Sequence, residues 1–201
     1  MALRREFAER IASVDVRRLR VLDESGVNIA MTRLYGRAPR GQRVVDAVPE
    51  NWGENVSMIG VISSVGVTAA MHVEQAVDGD VFEVFVRDVL APTLATGDVV
   101  VWDNLNVHKN SAARAAIEAA GARIEPLPPY SPDLNPIEKM WSKLKGILRA
   151  KGARTLETLE AAISEAFKAV TAGDAEGWFT SCGYKLGGGS TATPAECTSP
   201  A

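Results

Sequence analysis

The chain of 201 residues is short of cysteine, of long apolar runs and of surplus positive charge, and each shortage excludes something. Its two cysteines, Cys182 and Cys197, fall near the C-terminus without metal-ligand spacing, so no disulfide framework or zinc site is expected. A reducing cytoplasm is the plain expectation. No apolar stretch approaches the roughly 18–20 residues of a membrane span. The opening Met1-Ala2-Leu3-Arg4-Arg5-Glu6-Phe7 is charged where a signal peptide has its apolar centre, so no membrane partner is expected. The net charge of −3 argues against a free-standing DNA-binding protein, which carries a basic surplus. It leaves room for a DNA enzyme whose acids cluster in its site, with the grip supplied by another domain or chain. What is present, 46% hydrophobic and 23% charged residues, suits one globular domain with a sizeable core.

Periodicity sets an element order. Phe7 and Ile11, four apart, suggest a short helix over residues 4–12. Residues 18–24 alternate, with Leu19, Val21 and Asp23 on one face and Arg20, Leu22 and Glu24 on the other, as in a strand. Residues 31–45 hold turn pairs and read as a short strand with loops, and residues 56–73 read as a hairpin. Asp80-Val81-Phe82-Glu83 resembles a capping box opening a helix. Val99-Val100-Val101-Trp102 suits a strand buried on both faces. A helix over 111–120, a strand from Arg123 to Leu127, a helix opened by Asn135-Pro136-Ile137-Glu138 and a last helix from Leu156 to Val170 complete the order. A meander followed by βαβ-like units predicts an α/β fold: a mixed sheet with helices on both faces. From Gly187 the composition reads as a disordered tail.

Three acids carry chemistry. Asp23 and Asp103 each read as closing an apolar strand, and in open α/β sheets reacting groups gather beyond the carboxyl ends of strands. Were the two strands parallel neighbours, the carboxylates would lie side by side and repel unless a divalent cation joined them. Glu138 follows Asp103 with 34 residues between, in the first turn of a helix. Two metal ions roughly 4 Å apart suit in-line displacement at phosphorus. Other readings stay open: Asp at a strand end is common turn chemistry, and Asn135-x-x-Glu138 is close to a capping box.

Longer motifs sharpen this. Trp102-Asp103-Asn104-Leu105-Asn106-Val107-His108-Lys109 resembles the second catalytic block of mariner-like and insertion-sequence 630 transposases. Pro128-Pro129-Tyr130-Ser131-Pro132-Asp133-Leu134-Asn135-Pro136-Ile137-Glu138-Lys139-Met140-Trp141 resembles the third block. Leu22-Asp23-Glu24-Ser25-Gly26 resembles the first, and Tyr35-Gly36-Arg37-Ala38-Pro39-Arg40-Gly41 the stretch after it in bacterial members. The resemblance runs from about residue 18 to about residue 186, with residues 1–17 as a short helical linker and 187–201 as tail. It implies a ribonuclease H-like five-stranded sheet, with Asp23, Asp103 and Glu138 as catalytic and metal-ligating residues for Mg²⁺ or Mn²⁺. It also implies cleavage at transposon ends and strand transfer into double-stranded target DNA, by family habit at TA. Such transposases carry helix-turn-helix segments upstream. The chain therefore reads as the downstream half of a split reading frame or a truncated copy, working in the bacterial cytoplasm with an upstream product and at least as a homodimer on DNA.

Supporting roles divide between chemistry and structure. Asn104 would orient water or phosphate, or make a turn; His108 would touch phosphate or pack a loop; Lys109 would touch phosphate or be solvated. Asn135 is expected to start the helix and aim Glu138. Arg33, Arg37, Arg40 and Arg43, within eleven residues, are the best DNA-contact candidates, joined by Lys139 and, on the same helix, Lys143 and Lys145. Trp141 is expected to pack the helix onto the sheet; Glu24 and Asp133 rank below the triad. The rivals are an inactive or regulatory fragment that binds DNA or full-length transposase, and a nuclease acting on RNA–DNA hybrids or Holliday junctions.

Overall fold

The computed structural model describes residues 2–51, 53, 55–103 and 110–185. Five strands form one sheet: β1 (Leu19–Asn28), β2 (Asn55–Ser63), β3 (Gly66–Val73), β4 (Val99–Trp102) and β5 (Arg123–Pro126). Their spatial order is β3-β2-β1-β4-β5. The β1–β2 and β2–β3 pairs are antiparallel, whereas β1–β4 and β4–β5 are parallel. This is the mixed sheet that the element order predicts. Among the described residues no helix is long and apolar enough to cross a membrane.

Alternation along the strands sorts side chains into two cores. Leu19, Val21, Val99 and Val101 face one core, with helices α1 (Ala2–Ala12), α4 (Ile137–Lys151), α5 (Leu156–Lys168) and α6 (Ala172–Ser181). Leu22, Val100 and Trp102 face the other, with α2 (Gly79–Val84), its π-helical continuation Phe85–Leu90, and α3 (Ser111–Ala119). A period of two along each strand produces this division. Full burial of all four β4 residues follows from β4 lying inside the sheet with helices on both faces.

Several local expectations shift. The carboxylate of Asp78, not Asp80, starts α2, accepting from the amides of Asp80 (3.1 Å) and Val81 (2.9 Å). No strand forms among the described residues between β1 and β2; this connection is irregular and mostly exposed. Arg154 Nη1 ties its start to the helical layer through the carbonyls of Ile29 (3.0 Å) and Met31 (3.1 Å). The last helix stops at Lys168, and α6 follows, opened by a Thr171–Asp174 capping box. Gly173 and Gly177 weaken the apolar period of α6, which hides it in the sequence. Residues 187–201 lie outside the described residues.

Gly60 of β2 is a packing requirement. A Cβ there would stand 2.9 Å from Trp141 Cη2 and 3.0 Å from Met140 Cε. Helix α4 therefore lies on β2 only because β2 has no side chain at this point. Gly60→Ala is expected to lower unfolding free energy by about 1–3 kcal/mol through overpacking, measured by urea denaturation. Gly26→Ala, with nothing within 4 Å of its Cβ position, is the matched control and should change little. Equal stability of the two variants would refute the packing argument.

Candidate active site

Asp23 is not at a strand end as its sequence setting suggested. It is the fifth residue of β1, which continues to Asn28. The polar run after Asp23 reads as loop, but β2 keeps pairing with it, from Asp23↔Gly60 to Asn28↔Asn55. Backbone pairing needs no apolar side chains. Pairing with β4 is what ends: its register is Leu19↔Val99, Arg20↔Val100 and Val21↔Val101. Asp23 and Asp103 each stand two residues beyond that last pair, on the side of the sheet that faces α4. Asp103 follows the end of β4 and is half-buried.

Asp23 is 9% exposed. Its Oδ1 accepts from the amide of Glu24 (2.9 Å) and its Oδ2 from the indole Nε1 of Trp141 (3.2 Å). The indole crosses β2 at Gly60, which is Asp23's partner in register. Burial pushes the Asp23 carboxyl up to about 7; the negative charges of Glu138 and Asp103 push the same way, and the two hydrogen bonds oppose them.

The other buried acids are balanced differently. Asp98 is fully buried and meets Arg20 at 3.0 Å, and Glu125 meets Arg10 at 2.7 Å and Arg123 at 3.0 Å. Asp23 instead has an indole, a backbone amide and two like charges. A divalent cation is the ligand that this arrangement favours, because hard carboxylate oxygens and mutual repulsion both call for one.

Glu138 is the second residue of α4 and is exposed. The rival capping role does not form: the helix starts after Pro136 with no side-chain cap, one residue later than expected. Asn135 is correspondingly not the cap. It is 6% exposed, its carbonyl accepts from the amide of Glu138 at 3.3 Å, and its buried Oδ1 has no hydrogen-bond partner among the described residues. Trp141 stands one helical turn after Glu138 on the same side. Its bond to Asp23 thus fixes the roll of α4 and with it the direction of Glu138. Ile137, Met140, Leu144 and Leu148 bury the packing stripe of this helix. Among the described residues no three acidic, histidine or cysteine side chains are already gathered as a ligand cluster. The three acids share an electrostatic field without being drawn together.

The remaining candidates divide. Asn104, His108 and Lys109 lie outside the described residues. Arg33, Arg37, Arg40 and Arg43 are all exposed on the β1–β2 connection, where Arg33 Nη2 reaches the carbonyl of Ala150 (3.4 Å). Lys139 is exposed, and Lys145 lines a groove with Leu34 and Arg149. Lys143 is committed to an ion pair with Asp174 of α6. Asp133 is committed to Arg4 of α1, whose guanidinium holds its carboxyl below the usual range. Glu24 alternates with Asp23 along β1 and so points to the opposite face. Sequence reasoning anticipated Trp141 as packing but missed its hydrogen bond to Asp23. The available signal was a glycine inside the apolar run Met58-Ile59-Gly60-Val61-Ile62.

The raised Asp23 value has a stability consequence. Unfolded, the carboxyl ionises near the ordinary value of about 3.9; folded, it holds its proton up to about 7. At pH values below both, each state is protonated and stability is unaffected. Between about 4 and 7 the unfolded state releases the proton first, so metal-free stability falls as pH rises, by on the order of a few kcal/mol. The penalty is constant above 7. Asp23→Asn should flatten this slope in denaturation experiments at several pH values, and saturating Mg²⁺ should reduce it for the native chain. An unchanged slope in Asp23→Asn would contradict the assignment.

The fold has known counterparts. A Mos1 transposase paired-end complex with left transposon end superimposes with a TM-score of 0.71 at 18% identity, covering 88% of this chain and 55% of that one. A Mos1 mariner paired-end complex with Mg gives 0.67 at 19% identity, covering 90% and 57%. The Mos1 transposase catalytic domain with raltegravir and Mg gives 0.65 at 16% identity, covering 89% and 86%. The chain thus spans about half the length of the Mos1 chains in the paired-end complexes, and most of that catalytic domain. At these identities the likeness shows the fold, a ribonuclease H-like mixed sheet. No protein of curated function matches the sequence. Residues 18–160, more than half of the chain, match the family described as DDE superfamily endonuclease, and the chain belongs to it.

Proposed function

We propose that this chain is the metal-dependent catalytic core of a transposase, cutting DNA at transposon ends and joining the cut strand to target DNA. One observation carries the reading. The most buried of the three candidate acids, Asp23, is held in the fold by an indole and pressed by two other acids, whereas buried acids elsewhere are balanced by arginine. As an anion such a centre is unfavourable, and a cation beside it removes the penalty.

Asp23, Asp103 and Glu138 would hold Mg²⁺ or Mn²⁺, the ions named for the Mos1 structures of the same fold. Bound there, the ion supplies charge neutralisation and Lewis-acid activation for displacement at phosphorus. The chain's own residues do the rest. β1 and β4 present two carboxylates at one level, and α4 brings a third on a longer, exposed side chain. Trp141 holds Asp23 Oδ2 by its indole N–H and helps keep that carboxylate buried.

The net charge of −3 leaves little general affinity for DNA, so the grip is assigned to a helix-turn-helix partner product. Exposed Arg33, Arg37, Arg40, Arg43 and Lys139 add phosphate contacts. A homodimer on DNA and integration at TA dinucleotides complete the proposal.

The test is cleavage of a labelled transposon end in Mg²⁺, with the upstream helix-turn-helix product supplied. Asp103→Asn should remain folded and lose cleavage. Trp141→Phe should keep the packing but lose the hydrogen bond, lowering cleavage roughly 10–100-fold. Cleavage by Asp103→Asn at the native rate would overturn the proposal, and a DNA shift without cutting by the native chain would favour a regulatory fragment.

A further inference from the structure

Tyr130 combines two unfavourable features. It is 100% exposed, and with φ of 54° it is the one non-glycine residue of positive φ among the described residues. The left-handed region disfavours any side chain, and a glycine there would relax it. An aromatic ring in water on a strained backbone does nothing for the fold. Strain of this kind, held by the surrounding structure, is a mark of function.

The surroundings do hold it. The amide of Leu127 donates to the carbonyl of Trp102 (2.7 Å), so the chain leaves the sheet at the end where Asp103 stands. After Pro128 and Pro129 comes Tyr130, then Ser131, which is 2% exposed. Ser131 Oγ donates to the carbonyl of Pro129 (3.2 Å) and accepts from Arg4 Nη1 (3.1 Å). Beyond it, the carbonyl of Leu134 accepts from the Tyr184 hydroxyl (2.8 Å). The backbone on either side is pinned by α1 and by the C-terminal segment while the ring stays bare. Eight residues later the same segment delivers Glu138.

We propose that Tyr130 is a substrate-positioning residue whose ring stacks on an unpaired nucleobase of a DNA end, beside the phosphate presented to the acids. This rests on the proposed DNA-cutting function. A flat apolar face in water suits a nucleobase, since every base has a π face and stacking tolerates any sequence. The base must be frayed or extruded, because a base inside a duplex has both faces covered. A rigid, strained loop places the ring without ordering cost when DNA arrives.

The experiment uses the full chain with short DNA duplexes whose ends are blunt or carry unpaired terminal bases, with 5-iododeoxyuridine at the end as photocrosslinker. The native chain should prefer the unpaired end and crosslink through Tyr130, identified by mass spectrometry. Tyr130→Phe should keep both properties. Tyr130→Gly should melt at the same or a higher temperature, yet bind the unpaired end about 5- to 150-fold more weakly, the range that stacking of one base supports. Native-like binding by Tyr130→Gly, or a crosslink only elsewhere, would overturn the proposal, as would a lower melting temperature of Tyr130→Gly, which would make the ring structural. Mg²⁺-dependent cleavage is measured in parallel on a transposon end with the upstream helix-turn-helix product supplied. Crosslinking through Tyr130 without cleavage would leave this inference standing and remove the catalytic one; cleavage without a Tyr130 effect would do the reverse.

Discussion

The hydrogen bond from the Trp141 indole to the buried carboxylate of Asp23 is the constraint on which the arrangement depends. It crosses β2 at a residue with no side chain, and it decides how α4 rolls on the sheet. The far side of the indole is closed by Phe167 of α5, edge-on with ring centres 6.1 Å apart. An apolar layer therefore fixes a polar contact, and the polar contact fixes the direction of an acid one turn away. Desolvating a carboxyl beneath two like charges is unfavourable in the metal-free fold, as its pKa near 7 records. Stability lost at Asp23 is what a cation would restore.

The rest of the molecule is organised to keep that centre rigid. Buried acids away from it are neutralised, Asp98 by Arg20 and Glu125 by Arg10 and Arg123. Helix α1 reaches over the loop before α4 through Arg4, which pairs with Asp133 and Ser131. An exposed pair of this kind is screened by water and adds little to stability, so its value lies in fixing a loop. Phe7 and Ile11 make the larger contribution of α1, buried in the same core as α4.

Much of this was legible in the sequence because it rests on local patterns. Alternation gave β1, the continuous run gave β4, and the motif Asp80-Val81-Phe82-Glu83 announced the helix after β3. Asp103 at the end of β4 and Glu138 in the first turn of α4 were readable from position alone. What escaped depends on contacts distant in the chain. β1 continues past Asp23 because β2 pairs with it, and no side-chain pattern in residues 24–28 announces that. Asn135 looked like a cap, yet the turn Pro132–Leu134 moves the start of α4 on by one residue and leaves its amide oxygen buried. Gly60 lies unremarked within the hairpin read over residues 56–73, and its meaning comes from a tryptophan 81 positions away.

The central claim is that Asp23, Asp103 and Glu138 form one cation site. Crystals of the chain grown with Mn²⁺, with anomalous diffraction collected at the manganese edge, address it most directly. The account predicts an anomalous peak in direct contact with carboxylate oxygens of Asp23 and Asp103, with Glu138 turned toward it and the Trp141 indole still on Asp23. A peak elsewhere, or none with the three acids ordered and apart, would contradict it.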